Sequence, residues 1–292
     1  MGADVTASDP AARAVFAEAD EALGFSLSRL CFEGPEDRLA LTEHAQPAIL
    51  ATSLAVYRAL GARVSLAPVV LAGHSLGEWS ALVAAGAIAL ADAVRSVRER
   101  GCLMQAAVPV GVGAMAAILG LEESVVTALC AEVAGDQVLC PANLNGGGQV
   151  VVAGHAQAVD RLIVRVRTQG GRAQPLKVTA PFHCPLMAPA ARGLEQLLAD
   201  VPIAELRTEV MSSVDARPVE RGRVKATLVV QVTAPVRWEA TVRAIAAHEP
   251  ATVLEVGPGR VLSGLIKRIV PDMAVLPVGD AAGLAAAEKA LA

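Results

Sequence analysis

The residues best suited to covalent chemistry stand in Gly73-His74-Ser75-Leu76-Gly77, within the run VVLAGHSLGEWSALVAAGAI at 69–88. A serine becomes a useful nucleophile when a strained strand-to-helix turn lifts its hydroxyl above a sheet, and small residues two before and two after permit that turn. The pentapeptide alone divides evenly between a nucleophile elbow and a plain turn. The apolar strand before it and the Ala-rich helix after it tip the reading to a nucleophile. A helix starting after Ser75 also leaves unpaired N–H groups in its first turn, and that of Leu76 is placed to face a developing oxyanion.

A nucleophilic serine needs a base, for which histidine is the usual residue. The five histidines are His44, His74, His155, His183 and His248. His74 adjoins Ser75 but points elsewhere on a true elbow, His155 ends a strand, and His248 lies at a polar helix end. His183 sits in TAPFHCPLM between Pro181 and Pro185, a rigid loop suited to a cleft wall, although a hydrogen-bonded loop histidine is the alternative. Arg100 is the third candidate. In ADAVRSVRERGCLMQ it shares the apolar helical face of Ala93, Val97, Gly101 and Met104, and a buried guanidinium needs an anionic partner. That partner is either a carboxylate of the chain, which the residues alone favour, or a substrate carboxylate gripped by the planar fork.

The elements that must position these groups alternate between helical and strand periods. AARAVFAEADEALG and QPAILATSLAVYRALGA read as helices, the first capped by Gly24, and VSLAPVVLAG reads as a strand buried on both faces. Residues 109–178 then run GAMAAILGL, ESVVTALCAEVA, QVLCPANLN, GQVVVAGH, AQAVDRLIVRVRTQG and AQPLKV. This is a βαββαβ order with a Gly-rich hairpin at NLNGGGQV, the ferredoxin-like arrangement. The expected architecture is a large α/β hydrolase-like domain from 1–108 and 179–292, with a small ferredoxin-like subdomain inserted at 109–178. TEVMSSV, TVLEVGPG, VLSGLIKRIV and MAVLPVG complete the large domain before an Ala-rich last helix.

Composition narrows the partners. The 292 residues are 54% hydrophobic and carry a formal charge of −4, with no Lys/Arg block to neutralise phosphates, and aromatics make up only 2%. Nucleic acid is therefore not an expected partner. The longest mostly apolar stretch is broken by Pro109 and glycines, so neither a membrane span nor an export leader is expected. Five cysteines without metal-ligand spacing read as reduced thiols in the cytoplasm.

The motifs GHSLGEWSALVAAGAI, RGCLMQ, GAMAAILGL, PANLNGGGQVVVAG, PFHCPLM, LVVQVTAPVRW and EVGPGRVLSGLIKRI together resemble the malonyl-CoA:acyl-carrier-protein transacylases and the acyltransferase domains of fatty-acid and polyketide synthases. They span nearly the whole chain in the family's order. The resemblance implies ping-pong transfer of malonyl from coenzyme A to the phosphopantetheine thiol of an acyl carrier protein, with no metal or bound cofactor and a monomer as the working state. It implies Ser75 as nucleophile, His183 as general base and Arg100 as clamp on the malonyl carboxylate. It also implies that the Gln231 backbone carbonyl orients the histidine, and that Phe182 crowds out an α-methyl group. From the residues alone Gln231 reads only as a polar residue in a strand or at a helix edge.

One departure stands against the family pattern. Its members open with a short apolar strand and a GQGSQ motif whose glutamine N–H supplies a second oxyanion donor, whereas MGADVTASDP aligns just after that motif. The sheet is then expected to lack a strand beside the one ending at Gly73, with Leu76 as the sole backbone oxyanion donor. Two other readings stay open: a catalytically impaired carrier-binding remnant, and a serine thioesterase or hydrolase. The absence of an acid after the last strand to orient the base argues against the second.

Overall fold

The computed structural model describes residues 1–291. Asp9 starts the helix Pro10–Leu23 by accepting from the N–H groups of Ala11 and Ala12, and Gly24 ends it at φ 70°, where only glycine is unstrained. That helix packs on Thr42–Arg63, 22 residues long, whose buried Ala48, Leu50, Ala51, Leu54, Ala55, Ala59 and Leu60 form the middle of the main core. Short helices at Ala3–Ser8, Leu27–Glu33 and Glu36–Leu39 flank this pair and are too short for their periodicity to show in sequence.

The strands are β1 (Val70–Ala72), β2 (Gly113–Leu119), β3 (Leu139–Gly146), β4 (Gln149–His155), β5 (Arg172–Pro175), β6 (Glu209–Met211), β7 (Val253–Val256) and β8 (Val275–Val278). The run expected as a strand from 64 shortens to Val70–Ala72. Pro68 lacks the N–H a ladder needs, and Val69 is 61% exposed. In the large domain β1 pairs in parallel with β6, and β7 in parallel with β8. Among the described residues neither β1 nor β7 has a strand partner on its second edge.

The segment between Gly113 and Pro175 forms an antiparallel sheet in the order β3-β4-β2-β5, the ferredoxin-like order. Its hairpin turns through Gly146, Gly147 and Gly148, with φ of 72°, 57° and 72°, and side chains alternate across it as a pleated strand requires. Ala116, Ile118, Val150 and Val152 face the helices Glu123–Ala134 and Ala156–Thr168. Met115, Ala117, Val151 and Ala153 face the other way, into a cluster with Cys184, Phe182 and Leu186. The second face of the inserted sheet thus supports the loop that carries His183. Among the described residues no helix is long and apolar enough to cross a membrane.

Candidate active site

Ser75 lies between β1 and the helix Leu76–Ala84 with φ 50° and ψ −108°, a conformation L-residues rarely adopt. The turn is tight because a Cβ on Gly73 would fall inside the backbone of Gly77 and Glu78. Gly77 has no such duty, since a Cβ there would meet nothing within 4 Å. Of the two glycines expected to permit the elbow, the structure requires only the first on steric grounds. The N–H of Gly77 donates to His74 O and that of Glu78 to Ser75 O. The N–H of Leu76 stands between them at the helix start, without an acceptor among the described residues.

The Ser75 hydroxyl is 2.8 Å from His183 Nε2. His183 Nδ1 lies 2.8 Å from the Gln231 carbonyl oxygen. A carbonyl only accepts, so Nδ1 carries the proton and Nε2 presents its lone pair to the serine. The backbone of His183 is itself left-handed, φ 58°, held between Pro181 and Pro185 and over the sheet face described above. Burial, reinforced by the Arg100 charge, pushes its pKa down to about 3. The resting ring is therefore neutral, the form a general base requires.

Arg100 comes from the helix Leu90–Ala106 and is 2% exposed. Its Nη1 donates to Gln46 Oε1 at 2.5 Å, and its Nη2 to Ser75 Oγ at 3.2 Å and Gln231 Oε1 at 3.1 Å. Its Nε has no partner among the described residues. Burial lowers its pKa to about 10, which leaves it cationic near neutral pH. Gly101, next in sequence, lets this helix touch the first turn of Thr42–Arg63: a Cβ there would lie 2.7 Å from Glu43 Cα and Thr42 O. That close crossing brings Gln46 to the guanidinium.

Gln231 is the last residue of the helix Val224–Gln231, which settles the strand-or-helix alternative. Its backbone serves His183 and its side chain serves four other groups. Nε2 donates to Glu78 Oε2 at 2.7 Å, to Ser75 O at 3.1 Å and to Ser213 Oγ at 3.3 Å, while Oε1 faces Arg100. Glu78 is fully buried and its Oε2 also accepts from Ser213 N at 3.1 Å and Ser213 Oγ at 2.7 Å. Burial pushes its carboxyl up, and the donors on Oε2 pull against that shift.

Of the sequence-predicted residues, Ser75, His183, Arg100 and Gln231 form one hydrogen-bonded group, with Leu76 adjoining. Phe182 is half-buried and packs into the apolar clusters on both sides of its loop. Three of the other four histidines are engaged elsewhere, and His44 packs edge-on against Phe25. His74 is 3.0 Å from Asn145 Oδ1 in the inserted subdomain, His155 Nδ1 accepts from Val138 N, and His248 lies 3.2 Å from Glu209. Sequence reasoning missed Gln46, Glu78 and Ser213. Glu78 left a signal, being a lone charge three residues after Ser75 in an otherwise apolar helix.

The site combines a serine poised on a neutral imidazole, a cationic fork beside the hydroxyl and a free N–H at a helix start. Such a set can form an ester from an acyl donor that bears a carboxylate. Comparison with known proteins agrees in kind. The acyl transferase domain family model matches residues 1–285. The malonyl CoA-acyl carrier protein transacylase of Escherichia coli K12 is 45% identical over 289 residues, covering 98% of this chain and 94% of that protein. Its counterpart from Bacillus subtilis strain 168 is 42% identical, covering 96% and 89%. The solved transacylase of Coxiella burnetii superposes with a TM-score of 0.97 at 40% identity, covering 100% of this chain and 93% of that one. A malonyl-transacylase solved with a type II polyketide acyl-carrier protein gives 0.97 at 42% identity, covering 99% and 94%.

Proposed function

This chain belongs to the acyl transferase domain family, and from that premise we propose that it transfers malonyl from coenzyme A to an acyl carrier protein through an ester on Ser75. The observation that carries the residue assignment is the relay of Ser75 Oγ, His183 Nε2, His183 Nδ1 and Gln231 O, with both contacts at 2.8 Å. In the first half-reaction the Ser75 oxygen attacks the thioester carbonyl and its proton passes to His183 Nε2. The oxyanion faces the N–H of Leu76. The C–S bond then breaks, and the imidazolium returns the proton to the departing coenzyme A sulfur. The second half runs in reverse: the phosphopantetheine thiol gives its proton to His183, its sulfur attacks the ester, and Ser75 recovers its hydrogen.

Arg100 grips the malonyl carboxylate, exchanging one of its amide acceptors for a bidentate charged pair. Phe182 narrows the space beside the malonyl methylene. Neither half-reaction calls on a metal or bound cofactor, since the charge is carried by His183, the helix N–H and Arg100. The product serves fatty acid or polyketide biosynthesis, and the neighbour solved with a type II polyketide acyl-carrier protein supports the second route. A cytoplasmic location suits the five unpaired cysteines.

Intact-mass measurement tests this reading. With malonyl-CoA and no acceptor, the protein should gain one malonyl group on Ser75 and Ser75→Ala none. An adduct that persists in that variant, or that maps to Cys102 or Cys184, refutes the nucleophile. Thioesterase activity would appear instead as turnover without carrier protein, and an impaired remnant would bind carrier without forming the ester.

A further inference from the structure

Arg100 is a buried cation, and a buried cation needs compensation whether or not substrate is present. Its immediate acceptors are neutral: two amide oxygens, from Gln46 and Gln231, and the Ser75 hydroxyl. One step further lies Glu78, fully buried, reached through the Gln231 amide. Three donors converge on Glu78 Oε2: the backbone and hydroxyl of Ser213 and the Nε2 of Gln231. The three donors on Oε2 favour the carboxylate against the burial that pushes this group up, and Oε1 meets no donor among the described residues. The same contact decides which way the Gln231 amide faces. With Nε2 drawn to Glu78 and Ser75 O, Oε1 must turn to Arg100.

We propose that Glu78 is a positioning residue of the acyl-selecting site: it fixes the Gln231 amide so that its oxygen holds Arg100, and its charge balances Arg100 until a substrate carboxylate arrives. The inference rests on the reading of Arg100 as the carboxylate clamp. It makes the malonyl preference a tuned quantity. The buried carboxylate opposes the attraction of Arg100 for an anionic acyl group, which holds back binding and allows the acyl group to leave again for the carrier thiol.

The test is Glu78→Gln, which keeps the size and an oxygen for Ser213 and Gln231 but removes the charge. Transfer to carrier protein is measured with malonyl-CoA and acetyl-CoA, and kcat and KM are separated. With the opposing charge gone, the malonyl preference in kcat/KM should rise about tenfold, the size expected for one charge several ångströms away at an intermediate effective dielectric. The rise should come through a lower KM for malonyl-CoA alongside a reduced kcat. A residue that only braces the fold would slow both substrates alike, so an unchanged or reduced preference overturns the proposal.

If Glu78→Gln does not fold, judged by thermal unfolding, Glu78→Asp carries the test. It keeps the charge but draws back from Gln231, so the malonyl preference must fall while acetyl transfer persists, and equal losses overturn the proposal. The wild type separates this inference from the reading beneath it. Absence of a Ser75 malonyl ester, or of any malonyl preference, would sink both. A normal ester and preference with no response to Glu78 would sink only this one.

Discussion

At the scale of single residues, two expectations follow from the charges around Ser75. Arg100→Ala should cut malonyl transfer far more than acetyl transfer, because only the malonyl group has a carboxylate to pair. A charge-assisted contact of this kind contributes roughly 1.5–3 kcal/mol, so the preference measured by competing acyl-CoA donors should shift by about one to two orders of magnitude. His183 carries the second. Its pKa is depressed to about 3 from an ordinary 6.5, so kcat/KM should show no acid limb near pH 6.5 and stay level to about pH 5. Stability has the matching sign. Below pH 6.5 the unfolded chain takes up a proton that the folded one refuses, so the fold loses stability as pH falls from 6.5 toward 3 and is unaffected above that window. Urea unfolding of His183→Gln at pH 5 and 7.5 should show a smaller difference than the wild type.

At the scale of elements, the two elbow glycines should part company. Gly73→Ala forces a side chain into the Gly77 backbone and should abolish folding or esterification, since β1 and the following helix cannot both keep their places. Gly77→Ala enters open space in a helix and should leave the thermal midpoint equal to or above that of the wild type. The pentapeptide shows both glycines but not which of them is crowded. Much else at this scale was legible. The inserted subdomain could be read because each of its elements has its own period and a glycine turn marks its hairpin. The helix Pro10–Leu23 could be read from the helical period of AARAVFAEADEALG and the Gly24 cap. The short β1 was hidden because the apolar run extends past the residues that actually pair. In the site, Ser75 and His183 announced themselves by local context. Gln231 did not, because its side chain meets Ser75 O 156 positions away and its carbonyl meets His183 48 positions away, and a helix terminus gives no hint of either; Glu78 showed as a lone charge, but its partner Ser213, 135 positions away, did not.

At the scale of the whole molecule, the sheets differ in how fully they are paired. β2 and β4 each have neighbours on both edges, whereas β1 and β7 have one each among the described residues. Hydrogen exchange should therefore be faster in peptides covering 70–72 and 253–256 than in those covering 113–119 and 149–155, because one-sided strands open at lower cost. Equal protection would mean that something else shields the free edges. The inserted sheet has a further part in the molecule. Gly113, where it begins, lies against Pro181, just after it ends, and any Cβ at 113 would collide with that ring. For protein engineering this makes the insertion a cassette with touching ends, but one whose closing clasp stands two residues before His183. A chimera that imports a relative's version of the segment inherits that clasp, and with it the reach of the base toward Ser75. Swapping such cassettes would reset the catalytic geometry before it altered any surface.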